Sequence, residues 1–399
     1  MKKNLYIKSF SLLLLILFLT GCWSAHEIEE LSLEVGIALD KGELSSTEEE
    51  LEKQDELYPK KDNITVTFQT VNTKIASAGS KSGGSEQKAY FNISETSDSL
   101  FQIDNEISLR KGRPLTGYHL KVIIISEELL RMYSMGDLLD SYLRDNDIRP
   151  SCLVLISKNR ASEVLESNEN GEIPSFSLVN MVENKNISTK ILPPMPLAKL
   201  TGIMKSESSF LLQNIIPASG EVKISGAAVI KGKSKKLIGF FNEKDLEGIS
   251  WITGKEEGGL VKSYYGEKEK LIVYNIQSIK SNIIPHINGD DISFEVKVQT
   301  DGNLSEDWVT SEKSSNNKFL KEVEKIFETE IKQLIMNVVQ KMQDDYQVEV
   351  AGFGNQLKIK YPEIWNEVKV DWDETFSKIP IKYNIDVTIS NYGTFISYK

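Results

Sequence analysis

Cysteine is nearly absent. Cys22 and Cys152 are the only two, too few for a disulfide scaffold or a four-cysteine zinc site. Three histidines (His26, His119 and His286) leave little for a histidine-rich metal centre. Basic charge is in deficit, with 47 Lys and Arg against 58 Asp and Glu, a net charge of -11. That balance argues against broad nucleic-acid binding, which needs a basic surface to neutralise phosphates. Catalytic motifs are missing too. Gly352-Phe353-Gly354 runs on into Asn355-Gln356 without the spacing of a phosphate loop, so it reads as a turn. Neither a nucleophile elbow nor an HExxH helix occurs. Asp290-Asp291 and Asp344-Asp345 are adjacent pairs of the kind found in solvated turns rather than acid–base partners. No cofactor is implied, and the chain makes no case as an enzyme.

What is present begins at the N-terminus. Lys2, Lys3 and Lys8 precede the apolar run Leu12 to Leu19, then Thr20-Gly21-Cys22. Eight apolar residues fall far short of the roughly 20 that span a bilayer, but they suit the core of a signal peptide. With Leu19 three positions upstream and Gly21 directly before Cys22, the segment resembles a bacterial lipobox. There the Cys22 thiol receives a diacylglycerol and residues 1–21 are removed. The mature chain would then carry 44 basic against 58 acidic side chains, a balance of -14. A body of that charge is poorly held on anionic lipid by its own electrostatics, so the lipid is the expected tether. Cys152, in Ser151-Cys152-Leu153-Val154-Leu155-Ile156, reads as a small core residue on a buried strand rather than a nucleophile.

A length of 399 residues exceeds what one hydrophobic core organises, and 40% hydrophobic with 26% charged residues is ordinary for globular material. Val35 to Asp40 predicts a half-buried strand, and Ile64 to Phe68 alternates as a strand with one wet face. Lys41 to Asp62 and Ser77 to Gln87 predict loops. Phe101 to Ile107 reads as a helix, His119 to Ile125 as a central strand, and Glu127–Tyr133 with Met135–Arg144 as two helices. The strand from Cys152 and a helix from Arg160 follow. Lys185 to Pro196, with Pro193, Pro194 and Pro196, predicts a linker. Beyond it come strands at Val222–Ile230 and Leu237–Phe241, and a short helix near Asp245–Trp251. Further strands are expected at Ile272–Ile276, Ser278–Ile284 and Ile292–Val298. From Asn317 to Tyr346, Leu320, Val323, Phe327, Ile331, Leu334, Val338 and Met342 form one helical stripe, with Glu328 and Lys332 pairing on the wet side.

The expected fold is α+β, with mixed sheets backed by helices and the long amphipathic helix in the last part. Its parts are a signal peptide (1–21), an N-terminal α+β domain (22–192), a small middle domain (193–270) and a C-terminal α+β domain (271–399). The polar cluster that stands out is Arg144-Asp145-Asn146-Asp147-Ile148-Arg149. Arg144, Asp145, Asp147 and Arg149 predict either a fork of charge-assisted hydrogen bonds fixing a helix-to-strand corner or a partner contact.

Several of these residues together resemble the spore germination lipoproteins, the C subunits of germinant receptors (the Ger(x)C family). They are Cys22-Trp23 with Glu27 to Leu31, Val35 to Asp40, Gly117-Tyr118-His119, the Arg144 to Arg149 cluster and Gly226 to Ile230. Gly352-Phe353-Gly354, Lys360 to Trp365, Trp372 and Phe376 complete the set. Ser24, Ala38 and Glu349 depart from the family's usual acid, glycine and aspartate. Ala38 implies that a positive φ is not needed there. The resemblance implies a three-domain lipoprotein on the outer face of the spore's inner membrane, acting beside germinant receptor A and B membrane subunits without nucleic acid. The rival expectation is a membrane-anchored solute-binding lipoprotein with two like lobes around a cleft.

Overall fold

The computed structural model describes residues 31–43, 50, 63–73, 88–107, 110–167, 171–218, 221–254, 258–309 and 317–391. The signal peptide, Cys22 and residues up to Glu30 lie outside them, as does most of the two loops expected at 41–62 and 77–87.

Strand β1 (Ser32–Lys41) runs inside the first sheet, with β2 (Ile64–Val71) and β3 (Tyr90–Ser97) added antiparallel on one side. Helix α1 (Leu100–Glu106) and the short β4 (Leu115–Thr116) bring the chain across. Next, β5 (Val122–Ser126) pairs parallel with the other side of β1. Helices α2 (Glu127–Met132) and α3 (Met135–Arg144) lead into β6 (Leu153–Ser157), again parallel. After α4 (Pro174–Glu183) and α5 (Leu197–Ser206), β7 (Phe210–Ala218) joins β6, and β8 (Glu221–Ile230) and β9 (Leu237–Phe241) continue antiparallel. The order is β3-β2-β1-β5-β6-β7-β8-β9, with β4 attached to β1. Val122 to Ile125 are fully buried, which suits a β-branched run covered on both faces by helices.

Helix α6 (Glu243–Thr253) passes to a second sheet of four strands: β10 (Gly259–Tyr265), β11 (Lys270–Asn288), β12 (Asp291–Asp307) and β13 (Ile381–Asn391). Between β12 and β13 lie α7 (Asn317–Gln340), α8 (Phe353–Lys360), α9 (Pro362–Val368) and α10 (Trp372–Phe376). The class is α+β. The 193–270 segment has no separate sheet among the described residues: β7, β8 and β9 extend the first, and β10 edges the second.

Several local expectations change. Strand β2 has no wet face, because the 3₁₀ turn Ser162–Leu165 and α4 cover its polar side. Thr65 and Thr67 pair across strands with Thr96 and Ser94, each at 2.8 Å. Gln69 donates to the Leu165 carbonyl at 2.7 Å and accepts from Ser175 Oγ at 2.6 Å. The proline-rich stretch is a strap rather than a free linker. Val154 N–H donates to Met195 O at 3.1 Å, and Leu197 N–H to Cys152 O at 2.8 Å. Proline's missing donors leave its flanking groups to dock on β6. The helix expected from Arg160 is only the 3₁₀ turn. Ile272 to Ile284 is one strand with a register irregularity at Ile276/Ser278, not two strands.

Most of the expected stripe is buried: Val323, Phe327, Ile331, Leu334 and Val338 on α7 and Met342 just beyond it, with Leu320 half-buried. Its polar flank departs from expectation. Glu328 accepts from Val387 N–H at 3.5 Å rather than pairing with Lys332, and Glu324 accepts from Ile389 N–H at 3.0 Å. Both acids hold β13. The α-helix stops at Gln340, and a π turn carries Lys341–Asp345. Helix α6 lies against α7 at Gly248, where a Cβ would stand 2.5 Å from Leu334 O and 2.7 Å from Val338 Cγ1. Asn242 and Asp245 form a capping box at the start of α6, and Lys341 Nζ reaches Asp245 Oδ2 at 2.7 Å.

Near the C-terminus, Glu349 organises the Gly352-Phe353-Gly354 turn. One carboxylate oxygen accepts from Ala351 and Gly352 N–H, each at 2.6 Å. The other accepts from Gly354 N–H at 3.0 Å and Trp372 Nε1 at 3.2 Å. Gly352 takes φ +98, and a Cβ on Gly354 would meet Trp372 and Trp365 inside 3.0 Å. Trp365 and Trp372 stack edge-on at 5.3 Å, and Phe376 completes the cluster.

Two stability tests follow from these contacts. Gly248→Ala should cost about 1–3 kcal/mol in chemical denaturation, because backbone must move. Gly112→Ala, where a Cβ meets nothing within 4 Å, serves as the neutral control. Glu349→Gln places an amide donor against donors and should cost about 2–4 kcal/mol, with a changed Trp372 fluorescence signal. An unchanged midpoint in either case would refute the corresponding contact.

Candidate functional site

Gly117-Tyr118-His119 and Arg144 to Arg149, 25 positions apart from His119 to Arg144, meet at the end of the first sheet where β1 begins. Pairing of Leu33 with Thr116 fixes the Gly117–His119 segment beside that end. The segment is a 3₁₀ turn rather than the start of the strand expected from His119. Helix α3, capped by Ser134 Oγ accepting from Asp137 N–H at 3.2 Å, delivers the second cluster. Buried Ile148 plugs the corner, 3.1 Å from where a Cβ on Gly117 would be.

The expected charge fork is not how the corner is built. Arg144 Nε pairs with Asp140 one helical turn back at 2.9 Å. Asp145 Oδ1 instead accepts from Asp147 N–H at 2.8 Å, an Asx turn that stops the helix before Pro150. Among the described residues no ion pair joins Arg144 or Arg149 to Asp145 or Asp147. Asp147 takes its hydrogen bond from the Tyr118 hydroxyl, which raises the phenol's pKa. The Arg149 carbonyl accepts from Cys152 N–H at 3.0 Å, turning the chain into β6. With the corner held by backbone and Asx geometry, Arg149 is left exposed, and so are Tyr118 and Leu143 on the segments that meet here. Arg and Tyr are the residue types that anchor protein contacts.

Sequence reasoning missed what lies beneath. Glu34 is buried in β1, and Glu34 Oε1, Thr116 Oγ1 and Tyr142 OH have no hydrogen-bond partner within the protein. Burial first, then Asp104 and Asp145, raises the Glu34 pKa well above the usual carboxylate range. Desolvation and Asp145 push Asp104 up to about 7. The available signal was one acid inside the apolar run Leu33-Glu34-Val35. Cys152 is buried, and burial pushes its thiol pKa up, so it is an inert core residue. Cys22 lies outside the described residues.

Two family models cover nearly all of this chain in order. Residues 24–217 match "Spore germination protein N-terminal domain", and residues 225–393 match "Spore germination B3/ GerAC like, C-terminal". Spore germination protein YndF of Bacillus subtilis (strain 168) is 49% identical over 385 residues, 96% of this chain and 95% of its own length. Spore germination protein B3 of the same organism is 28% identical over 383 residues, 95% and 96% of the two chains. The solved "Crystal Structure of the GerBC protein" has the same fold, with a TM-score of 0.61 at 24% identity, over 89% of this chain and 97% of that one. With both halves matched and a relative nearly half identical from end to end, the chain belongs to the GerAC-like family of spore germination proteins.

Proposed function

We propose that this chain is a lipid-anchored, non-enzymatic subunit of a nutrient germinant receptor, needed for the germination response through contacts with membrane A and B subunits. The observation that carries the reading is the 49% identity to a spore germination protein along almost the whole of both chains. The lipobox-like sequence ending at Cys22 supports attachment to the outer face of the spore's inner membrane. Ten residues separate Cys22 from Ser32, a reach of at most ~35 Å when extended. The corner of Tyr118, Arg144 and Arg149 flanks the start of β1, the end of the described fold nearest the tether in sequence. Solute capture between two like lobes is less well supported, since the sheets have nine and four strands in different orders.

Two measurements test this. Cys22→Ala should move the protein from the membrane to the soluble fraction; retention at the membrane would end the anchor claim. Arg144→Ala with Arg149→Ala should weaken co-purification with the A and B subunits about tenfold or more, leaving the thermal midpoint within roughly 2 °C. Co-purification at the wild-type level would remove this corner from the interface.

A further inference from the structure

Glu34 is an acid inside an apolar layer, and a bulge in β1 puts it there. Glu34 aligns with Thr70 on β2 and Gly36 with Gln69, so Val35 is the extra residue. Val35 packs with Ala89, Tyr90 and Ile173, and a Cβ on Gly36 would meet Ser175 and Leu165. Two successive residues on one face mark a bulge, and it turns Glu34 to the other face. That face holds Ile37, Ile103, Leu138, Tyr142 and Cys152, the layer that α1 and α3 cover.

An ionised carboxylate needs water, a cation or several donors. Glu34 is 5% exposed, its Oε1 is shut off from solvent, and among the described residues none gives it a hydrogen bond or an ion pair. Thr116 Oγ1 and Tyr142 OH are buried and unpartnered too, so neither hydroxyl donates to it. The titratable groups that act on it come from three elements. Asp104 on α1 and Asp145 at the end of α3 add like charge. Tyr142 on α3 and Cys152 before β6 are neutral groups whose own ionisation Glu34 opposes. Strands β2 and β4 present Thr70 and Thr116, which do not titrate. The neutral acid is the form this layer accepts.

Ionisation of such a group favours any arrangement that lets water reach the carboxyl. The stretch of β1 most easily freed is the end before the bulge. There Ser32 and Leu33 pair with the two-residue β4, and Glu34 with Thr70, before the ladder continues from Gly36. Ser32 N–H adds a bond to Pro114 O at 2.9 Å. Strand β4 runs directly into the Gly117–His119 turn, so the two move with the end of β1.

We propose that Glu34 is a proton-operated latch: protonated, it keeps the first residues of β1 and the Gly117–His119 turn closed against α1 and α3, and ionised it releases them. A glutamate in the opened chain ionises near pH ~4.3, whereas closed Glu34 ionises well above that range. The closed form is therefore favoured at low pH, and its advantage is lost as pH rises through the closed-state value. Asp104, pushed up to about 7, titrates in the same window. The latch is a property of the fold, so it stands whether or not the neighbouring corner meets a receptor subunit.

Hydrogen exchange of the full chain in detergent, followed by mass spectrometry from about pH 5 to about pH 8 and corrected for intrinsic exchange, tests the latch. In the wild type, opening of peptides spanning Ser32–Gly36 and Thr116–Leu120 should increase with pH, by up to about tenfold per pH unit. Glu34→Gln, fixed in the neutral form, should flatten most of that rise in both peptides. Glu34→Met, apolar and of similar length, gives the same comparison without a buried amide. Asp291→Asn, in the turn between β11 and β12, should keep the wild-type rise. Asp104→Asn removes a like charge and should make the rise level off at a lower pH. A rise in both Glu34 variants equal to that of the wild type would overturn the latch. So would exchange at these two segments that does not change with pH in the wild type.

Discussion

The two halves are held together by the approach of α6 to α7 at Gly248. Helix α6 leaves the last strand of the first sheet, and α7 covers the second. Their contact lets one continuous core include Val229 and Phe241 from β8 and β9 together with Phe327 and Ile331 from α7. Other bonds then converge on α6. Ser250 Oγ donates to Thr189 O at 2.8 Å, fastening the stretch that leads into the proline-rich strap. Ser281 Oγ donates to Ile252 O at 2.7 Å, fastening β11. Lys341 on the π turn closes on Asp245. These bonds are short-range and directional, so they set an orientation that the nondirectional burial of apolar surface leaves free.

What was legible in the sequence follows from how many partners a residue's position involves. The stripe on α7 was readable because a 3.6-residue period reports one buried face, whatever it packs on. The β5 strand was readable for a similar reason, since an unbroken β-branched run implies cover on both sides. Strand β2 was misread because alternation reports polarity, and polarity equals exposure only when nothing polar covers the second face. There Thr96, Ser94 and Ser175 supply the partners. Glu328 was misread because helical spacing places Lys332 within reach but says nothing of β13, which arrives nearly 60 residues later. The proline-rich strap looked like a linker because proline signals the end of regular structure, not the absence of docking.

The candidate corner divides the same way. Its residue types and its neighbourhood to a chain turn were visible, but the role of each charge was not. Asx geometry and backbone bonds shape the corner, so Arg149 is freed rather than used. Glu34 and Tyr142 beneath it are brought together only by the tertiary fold. The Glu349 cluster shows the converse. Gly352, Gly354, Trp372 and Phe376 carried much of the resemblance, yet the first three donate to one carboxylate, which also accepts from Ala351, and Phe376 packs on Trp372. Their regular appearance in the sequence reflects how that turn is built rather than chemistry performed on a ligand.

The corner and Asp40 sit at opposite ends of β1, a ten-residue strand about 33 Å long. A coupling between them needs an element with two arrangements that both ends bias. Strands β1 and β5 are poor candidates, being buried on both faces and laddered on both edges. The 3₁₀ turn Ser162–Leu165 is different. It is held by side chains: Asp40 grips its start, and Gln69 and Asn92 grip the Leu165 carbonyl from β2 and β3. Arg160, just before it, reaches Glu43 beyond the end of β1. The turn meets β2 and β3 through these two amides. The side-chain contacts able to differ between two arrangements are therefore concentrated in the turn, not along the strands that span the distance.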